Sequence, residues 1–172
     1  MSAWRLTRAV LARVTCQPAD RLAFDRTCRH CGDPAHGKPT IVGGGPHFSL
    51  AHCRDLVVLA VDETFPVGVD VEPAGQNIDA LSSLIRHPDD PESRGVELLR
   101  MWVRKEASLK ASGWGLARDM TTFAASRPLD AAVVEDVDAG PHHVAAVASL
   151  SGGCPATSGA ARRESGSPEL SR

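Results

Sequence analysis

With 172 residues and a formal net charge of −2, the chain is long enough for one substantial domain or two small halves sharing a core. Its 42% hydrophobic and 23% charged residues are ordinary for a globular protein, and the near-neutral balance leaves no electrostatic footprint for nucleic acid or a membrane surface. No apolar run approaches the roughly 20 residues of a membrane span, and no signal-peptide pattern opens the chain. The five cysteines, an odd count, suit free thiols in a reducing cytoplasm. The expectation is a soluble, cytoplasmic, monomeric protein.

Leu6, Val10 and Leu11 fall at helical spacing within residues 4–15, with Arg5, Arg8 and Arg13 free for the other faces. A turn follows through Gln17-Pro18-Ala19-Asp20. Residues 25–46 are rich in Gly, Pro and polar side chains, the composition of a loop. The alternation of Phe48 and Leu50 with Ser49 and Ala51, and then the apolar run Leu56 to Val61, predict two strands joined near His52 to Asp55. A third strand, Val67 to Glu72, follows a short turn, and the three are expected to pair as an antiparallel meander. Helical segments are predicted at about Asp79 to Ile85 and Arg94 to Ser112, the latter closed by Gly113. Strands at about Thr121–Ala125, Ala131–Asp136 and His143–Leu150 complete the ordered part, and residues 151–172 read as a disordered tail. The order helix, strands, helix, strands predicts an α+β fold of two similar halves, residues 1–74 and 75–150.

The stretch Val67-Gly68-Val69-Asp70-Val71-Glu72 sets the functional question. In a strand the valines share one face, and Gly68, Asp70 and Glu72 share the other. Two carboxylates then stand roughly 6.5–7 Å apart, two strand rises, and repel unless a cation or proton lies between them. On the long helix, Leu98, Leu99, Trp102, Val103 and Leu109 form an apolar arc, with Glu97, Arg100, Arg104 and Ser108 opposite. Glu106 breaks the pattern by falling in the arc, with Lys110 one turn on. The simplest explanation is an i,i+4 salt bridge. The other is a shared site: Asp70, Glu72 and Glu106 are hard oxygen donors of the kind Mg²⁺ takes beside a substrate phosphate, and Lys110 is a point charge suited to a phosphate oxygen.

Two motifs then carry a resemblance. Gly68-Val69-Asp70-Val71-Glu72 fits G-[IV]-D-[IV]-E, and residues 102–113, from Trp102 through Lys105, Glu106 and Lys110 to Gly113, fit W-x-x-K-E-[AS]-x-x-K-x-x-G. In this order and separation they resemble the 4′-phosphopantetheinyl transferases of the Sfp type over roughly residues 4–150. Phe48-Ser49-Leu50-Ala51-His52 and Gly37-Lys38-Pro39 add weaker support. The resemblance implies a pseudo-dimer of two α/β halves, each a small antiparallel sheet packed with a long helix. It also implies transfer of the phosphopantetheine arm of coenzyme A to a serine of an acyl or peptidyl carrier protein, of fatty acid, polyketide or nonribosomal peptide synthesis, releasing adenosine 3′,5′-bisphosphate.

Carried over by position, the resemblance makes Asp70, Glu72 and Glu106 the Mg²⁺ ligands, Glu106 the base and Lys110 the partner of the departing phosphate. His52 would bind the 3′-phosphate, with Ala51 beside it, and Arg26, Gly37, Lys38 and Pro39 would line the nucleotide end. Ala51 stands where the family has a serine, and Cys53-Arg54-Asp55 replaces a Ser-Gly turn. Such proteins carry a strand and loop ahead of the first helix, and this sequence begins at about that helix, so a truncated paralogue that binds coenzyme A or carrier protein without turnover is the alternative. A metal-dependent phosphohydrolase or nucleotidyl transferase would share the carboxylates but leaves the long-helix motif unexplained.

Cys28-x-x-Cys31 with His36 invites a zinc reading; a structural site wants four ligands and only one C-x-x-C is present, so the expectation is a coenzyme A-facing loop with free thiols. His142 and His143, as neighbours on a strand, face opposite ways and make no metal pair.

Overall fold

The computed structural model describes residues 3–150 apart from residue 55; the expected tail, 151–172, lies outside the described residues. The elements in chain order are α1 (Ala3–Thr15), β1 (Phe24–Asp25), β2 (Thr40–Ile41), β3 (His47–Cys53), β4 (Leu56–Asp62), β5 (Val67–Pro73), α2 (Ser82–Ile85), α3 (Gly95–Ser112), β6 (Val133–Val137) and β7 (His143–Ser149). Short 3₁₀ turns precede α2 and link α3 to β6. The architecture is α+β, helices packed on small antiparallel sheets. Among the described residues no helix is long and apolar enough to cross a membrane.

β3 and β4 form the expected hairpin, in register from His47↔Asp62 to Cys53↔Leu56. β5 does not continue it as a meander. It ladders instead with β7, Val69 opposite Val147 and Asp70 opposite Ala146, and β7 also pairs with β6, giving a sheet of order β5-β7-β6. The hairpin lies against β5, tied by Val69 N–H donating to Ser49 Oγ at 3.1 Å. The reason lies in the faces of the strands. Val69 and Val71 pack with Ala51, Cys53, Val58 and Ala145, whereas Val144, Ala146 and Ala148 on the opposite face of β7 join the core of α3. The small alanines of β7 let the helix come close while hydrogen bonds satisfy both of that strand's edges.

A second correction falls at residues 121–125, expected as a strand. Asp119 Oδ1 accepts from Thr121 N–H at 2.8 Å and from Thr121 Oγ1 at 2.9 Å, capping a 3₁₀ turn over Met120–Thr122. The short side chain competes with a ladder for the backbone and wins. Phe123 and Ala124 are buried all the same. Within the region read as a loop, residues 25–46, Phe24↔Ile41 and Asp25↔Thr40 make a brief antiparallel bridge at its ends.

α3 is fixed at both ends. Gly95 N–H at its start donates to Asp79 Oδ1 at 2.7 Å, and Gly113, at φ 79°, closes the helix by donating to Leu109 O at 3.0 Å. Ser108, expected on the polar side, is buried, its hydroxyl donating to Arg104 O at 3.0 Å. Arg104 does face outward, and its guanidinium grips Asp136 of β6 through two bonds of 2.7 Å.

Candidate active site

The contact that creates the site involves no charged group. A Cβ added to Gly68 would stand 2.0 Å from Ala107 O and 2.4 Å from Ala111 N, so the β5 backbone lies directly on that of α3. Only glycine permits this approach. Alternation along β5 then turns Asp70 and Glu72, which share the Gly68 face, toward the helix. On α3, Glu106 immediately before Ala107 and Lys110 three residues after it complete the group.

Asp70 and Glu106 are both buried, at 6% and 8% exposure. Lys110 Nζ donates to Asp70 Oδ1 at 2.6 Å, so the i,i+4 pairing with Glu106 that the sequence offered as its simplest explanation gives way to a bond between elements. Asp70 Oδ2 has no hydrogen-bond partner although it is buried. Glu106 is pushed up to about 7, first by burial, then by the Asp70 charge, with Lys110 opposing and Glu72 adding. Glu72 is raised too, by burial and by Asp70, while Lys110 and the Trp102 indole pull it back. Three carboxylates therefore share one field with a single ammonium group, and the site carries surplus negative charge.

An orphaned, buried carboxylate oxygen beside two carboxyls whose proton affinity is raised by burial and by the Asp70 charge is a donor set that a hard divalent cation would complete. Asp70, Glu72 and Glu106 would suit such a cation as oxygen donors. Their oxygens are not drawn together as tightly as the ligand atoms of Cys28, Cys31 and His36, the one metal-competent group among the described residues whose atoms all lie within 4.8 Å of one another.

No family model matches the sequence. The chain is 28% identical over 132 residues to the 4′-phosphopantetheinyl transferase psf-1 of Bacillus pumilus, the match covering 70% of this chain and 52% of that protein. It is 29% identical over 133 residues to the L-aminoadipate-semialdehyde dehydrogenase-phosphopantetheinyl transferase of Xenopus laevis, covering 64% and 42%. With the 4′-phosphopantetheinyl transferase HetI of a Nostoc strain it shares 30% identity over 99 residues, covering 49% and 41%. The chain thus spans about half the length of the curated relatives it matches. All three of these relatives are named phosphopantetheinyl transferases, the family whose Sfp-type motifs the sequence resembles.

Among the other residues singled out by the phosphopantetheinyl transferase motifs, Arg26 and Gly37 are brought together. Gly37 N–H donates to Arg26 O at 2.7 Å, and a Cβ on Gly37 would stand 2.5 Å from that oxygen. Lys38 spends its ammonium on protein carbonyls, Val67 O and Ala111 O, both at 2.9 Å. It thereby clamps the start of β5 to the end of α3, and burial, with a smaller effect from Arg29, lowers it to about 8. Pro39 beside it is half-buried, Ala51 is in the core, and His52, the next residue on β3, is exposed on the opposite face.

Sequence reasoning missed one pair. Lys105, 1% exposed, donates to Asp90 Oδ2 at 2.5 Å, Ile85 O at 2.7 Å and Met120 O at 3.0 Å. Asp90 also accepts from Ala125 N–H and His87 N–H, and these bonds together with Lys105 hold its carboxyl below the usual range despite its burial. The signal was present for Lys105, which lies three residues after Trp102 and four before Leu109 on the core face. Nothing marked Asp90.

Proposed function

We propose that the chain transfers the 4′-phosphopantetheine arm of coenzyme A to a serine hydroxyl of an acyl or peptidyl carrier protein, leaving holo-carrier protein and adenosine 3′,5′-bisphosphate. The observation that carries the reading is the meeting of β5 and α3: the carboxylates of one and the Glu106–Lys110 pair of the other share one buried field, in a chain whose relatives are named for this transfer.

In this reading the serine oxygen attacks the phosphorus that bears the pantetheine arm, and the bond from that phosphorus to the bridging diphosphate oxygen breaks. Mg²⁺, held by Asp70, Glu72 and Glu106, would polarise the diphosphate and offset its charge. Glu106, raised to about 7, is poised to take the serine proton directly or through a water. Lys110, bonded to Asp70 in the structure, would receive charge on the departing phosphate. Arg26 with Gly37, Pro39, Lys38, Ala51 and His52 would line the nucleotide, His52 from its exposed place meeting the 3′-phosphate. A division into two similar halves, residues 1–74 and 75–150, with β5 of the first laddered to β7 of the second, and action as a cytoplasmic monomer belong to the same proposal.

Intact-mass measurement on an apo carrier protein incubated with the chain, coenzyme A and Mg²⁺ tests it. The expected result is a gain of one phosphopantetheine on the carrier serine, dependent on Mg²⁺ and lost in Asp70→Asn. Coenzyme A binding without any such gain would support the non-catalytic paralogue instead.

A further inference from the structure

The segment leading into Gly37 and Lys38 contains a second cluster that the transfer reaction does not use. Cys28-Arg29-His30-Cys31-Gly32 folds as a tight turn, with Gly32 N–H donating to Cys28 O at 2.9 Å and Gly32 at φ 77°, where a side chain is strained. Backbone N–H groups of Cys31 and His30 aim at the Cys28 sulfur and hold its thiol below the ordinary value. Asp33 Oδ1 then accepts from Ala35 N–H at 2.7 Å, bending the chain back. His36 Nε2 is thereby brought to 3.1 Å from Cys31 Sγ, and one ligand atom from each of Cys28, Cys31 and His36 lies within 4.8 Å of the others.

We propose that Cys28, Cys31 and His36 bind a zinc ion, with solvent in the fourth position. Zn–S bonds of about 2.3 Å and a Zn–N bond of about 2.0–2.1 Å at tetrahedral angles put such ligand atoms roughly 3.5–3.8 Å apart, a small adjustment from the geometry present. The sequence argued against zinc because a fourth protein ligand was missing. The turn changes that weighing, because it presents both sulfurs and the His36 ring nitrogen to one point. His30 is engaged elsewhere, its ring 5.3 Å from that of Trp114, and Cys31 and His36 are exposed, so the fourth position opens to water. Binding displaces the thiol protons to solvent. The ion would staple residues 28–36 immediately before Gly37 and Lys38, and through Lys38 would brace the seam between β5 and α3.

The full chain, reduced and loaded with Zn²⁺ or Co²⁺ and then desalted, tests the site. One zinc per chain by elemental analysis is expected, and the cobalt form should show thiolate-to-metal charge-transfer absorption with the intense visible bands of tetrahedral cobalt. Cys31→Ser and His36→Gln, both at exposed positions, should keep the native circular dichroism and lose at least about tenfold in zinc affinity, the scale for disrupted metal sites. Cys16→Ser, at an exposed cysteine outside the cluster, should bind like the parent. A reduced, folded chain that retains no zinc, or variants that retain all of it, overturns the site. Because the readout is metal content, it can fail while the transferase reading stands, and the reverse.

Discussion

Lys110 of α3 donates to Asp70 Oδ1 of β5 at 2.6 Å, although Glu106 sits one turn away on its own helix. The lysine is therefore part of what holds strand to helix before any cation binds. Lys110→Met should lower the stability of the metal-free chain by about 1–3 kcal/mol, less than the 3–5 kcal/mol of a fully buried pair because Lys110 is partly exposed. Mg²⁺ should recover most of the loss, while carrier-protein loading stays at least about 100-fold down. Equal unfolding midpoints for parent and variant in EDTA, by chemical denaturation, would show that the pair contributes nothing.

Glu106 supplies a pH signature. Its carboxyl titrates near 7 in the fold against 4.5 when free, so the folded chain binds the proton more tightly than the unfolded one. Stability is then greatest below about 4.5 and declines as pH rises through 7, by up to about 3 kcal/mol from this group, with Glu72 adding in the same direction. Urea unfolding of metal-free chain at pH 5 and at pH 8 should show the higher pH to be the weaker. Glu106→Gln should flatten the difference, and Mg²⁺ should reduce it. A parent chain more stable at pH 8 than at pH 5 contradicts the arrangement.

Gly68→Ala tests the seam itself. The new methyl carbon would be 2.0 Å from Ala107 O, backbone that moves only if α3 shifts. The cost should reach about 3 kcal/mol, the upper range for overpacking, and transfer should fall with it because Asp70 and Glu72 retreat from Glu106. Val67→Ala, a buried truncation nearby on the opposite face, should destabilise without a comparable loss of kcat. Thermal unfolding beside single-turnover loading separates the two effects.

The Lys105–Asp90 pair predicts a cost without a catalytic cause. Lys105→Met strands a carboxylate in the core and should destabilise by about 3–5 kcal/mol. Double substitution to Lys105→Met with Asp90→Asn should recover part of that, since the amide leaves no uncompensated charge and its one oxygen can still accept from either Ala125 or His87, though not from both. No recovery in the unfolding midpoint would mean that the bonds to Ile85 and Met120 carry the effect.

How much of this was legible depended on whether the cause was local. The helices at 4–15 and 94–112, the β3–β4 hairpin and the Gly113 stop follow from periodicity and turn chemistry within a few residues. Asp70, Glu72, Glu106 and Lys110 stood out because each violates a pattern that is otherwise clean. The partner of β5 was not legible, since β7 is rich in alanine and gives a weak strand signal whose value lies in the helix packed over it. Residues 121–125 misled because the β propensity of threonine and phenylalanine yields to one capping aspartate just upstream. The pairing of Lys110 depended on a close approach at Gly68 that no residue near Lys110 announces. The resemblance placed Lys38 at the nucleotide end, while its bonds to two carbonyls on distant elements exist only in the folded chain.

The laddering of β5 with β7 has a consequence for how the chain is made. The strand bearing the carboxylates is synthesised by residue 73, but its hydrogen-bonding partner begins only at His143. During translation the hairpin β3–β4 and helix α3 can form from what has emerged, while one edge of β5 stays open until residue 149 clears the ribosome. Pairing over such a separation is slow, and an unpaired strand edge invites association with other chains. A ribosome stalled before residue 143 would therefore display the strand bearing Asp70 and Glu72 as an aggregation-prone segment, and those residues would meet α3 in the last step of folding.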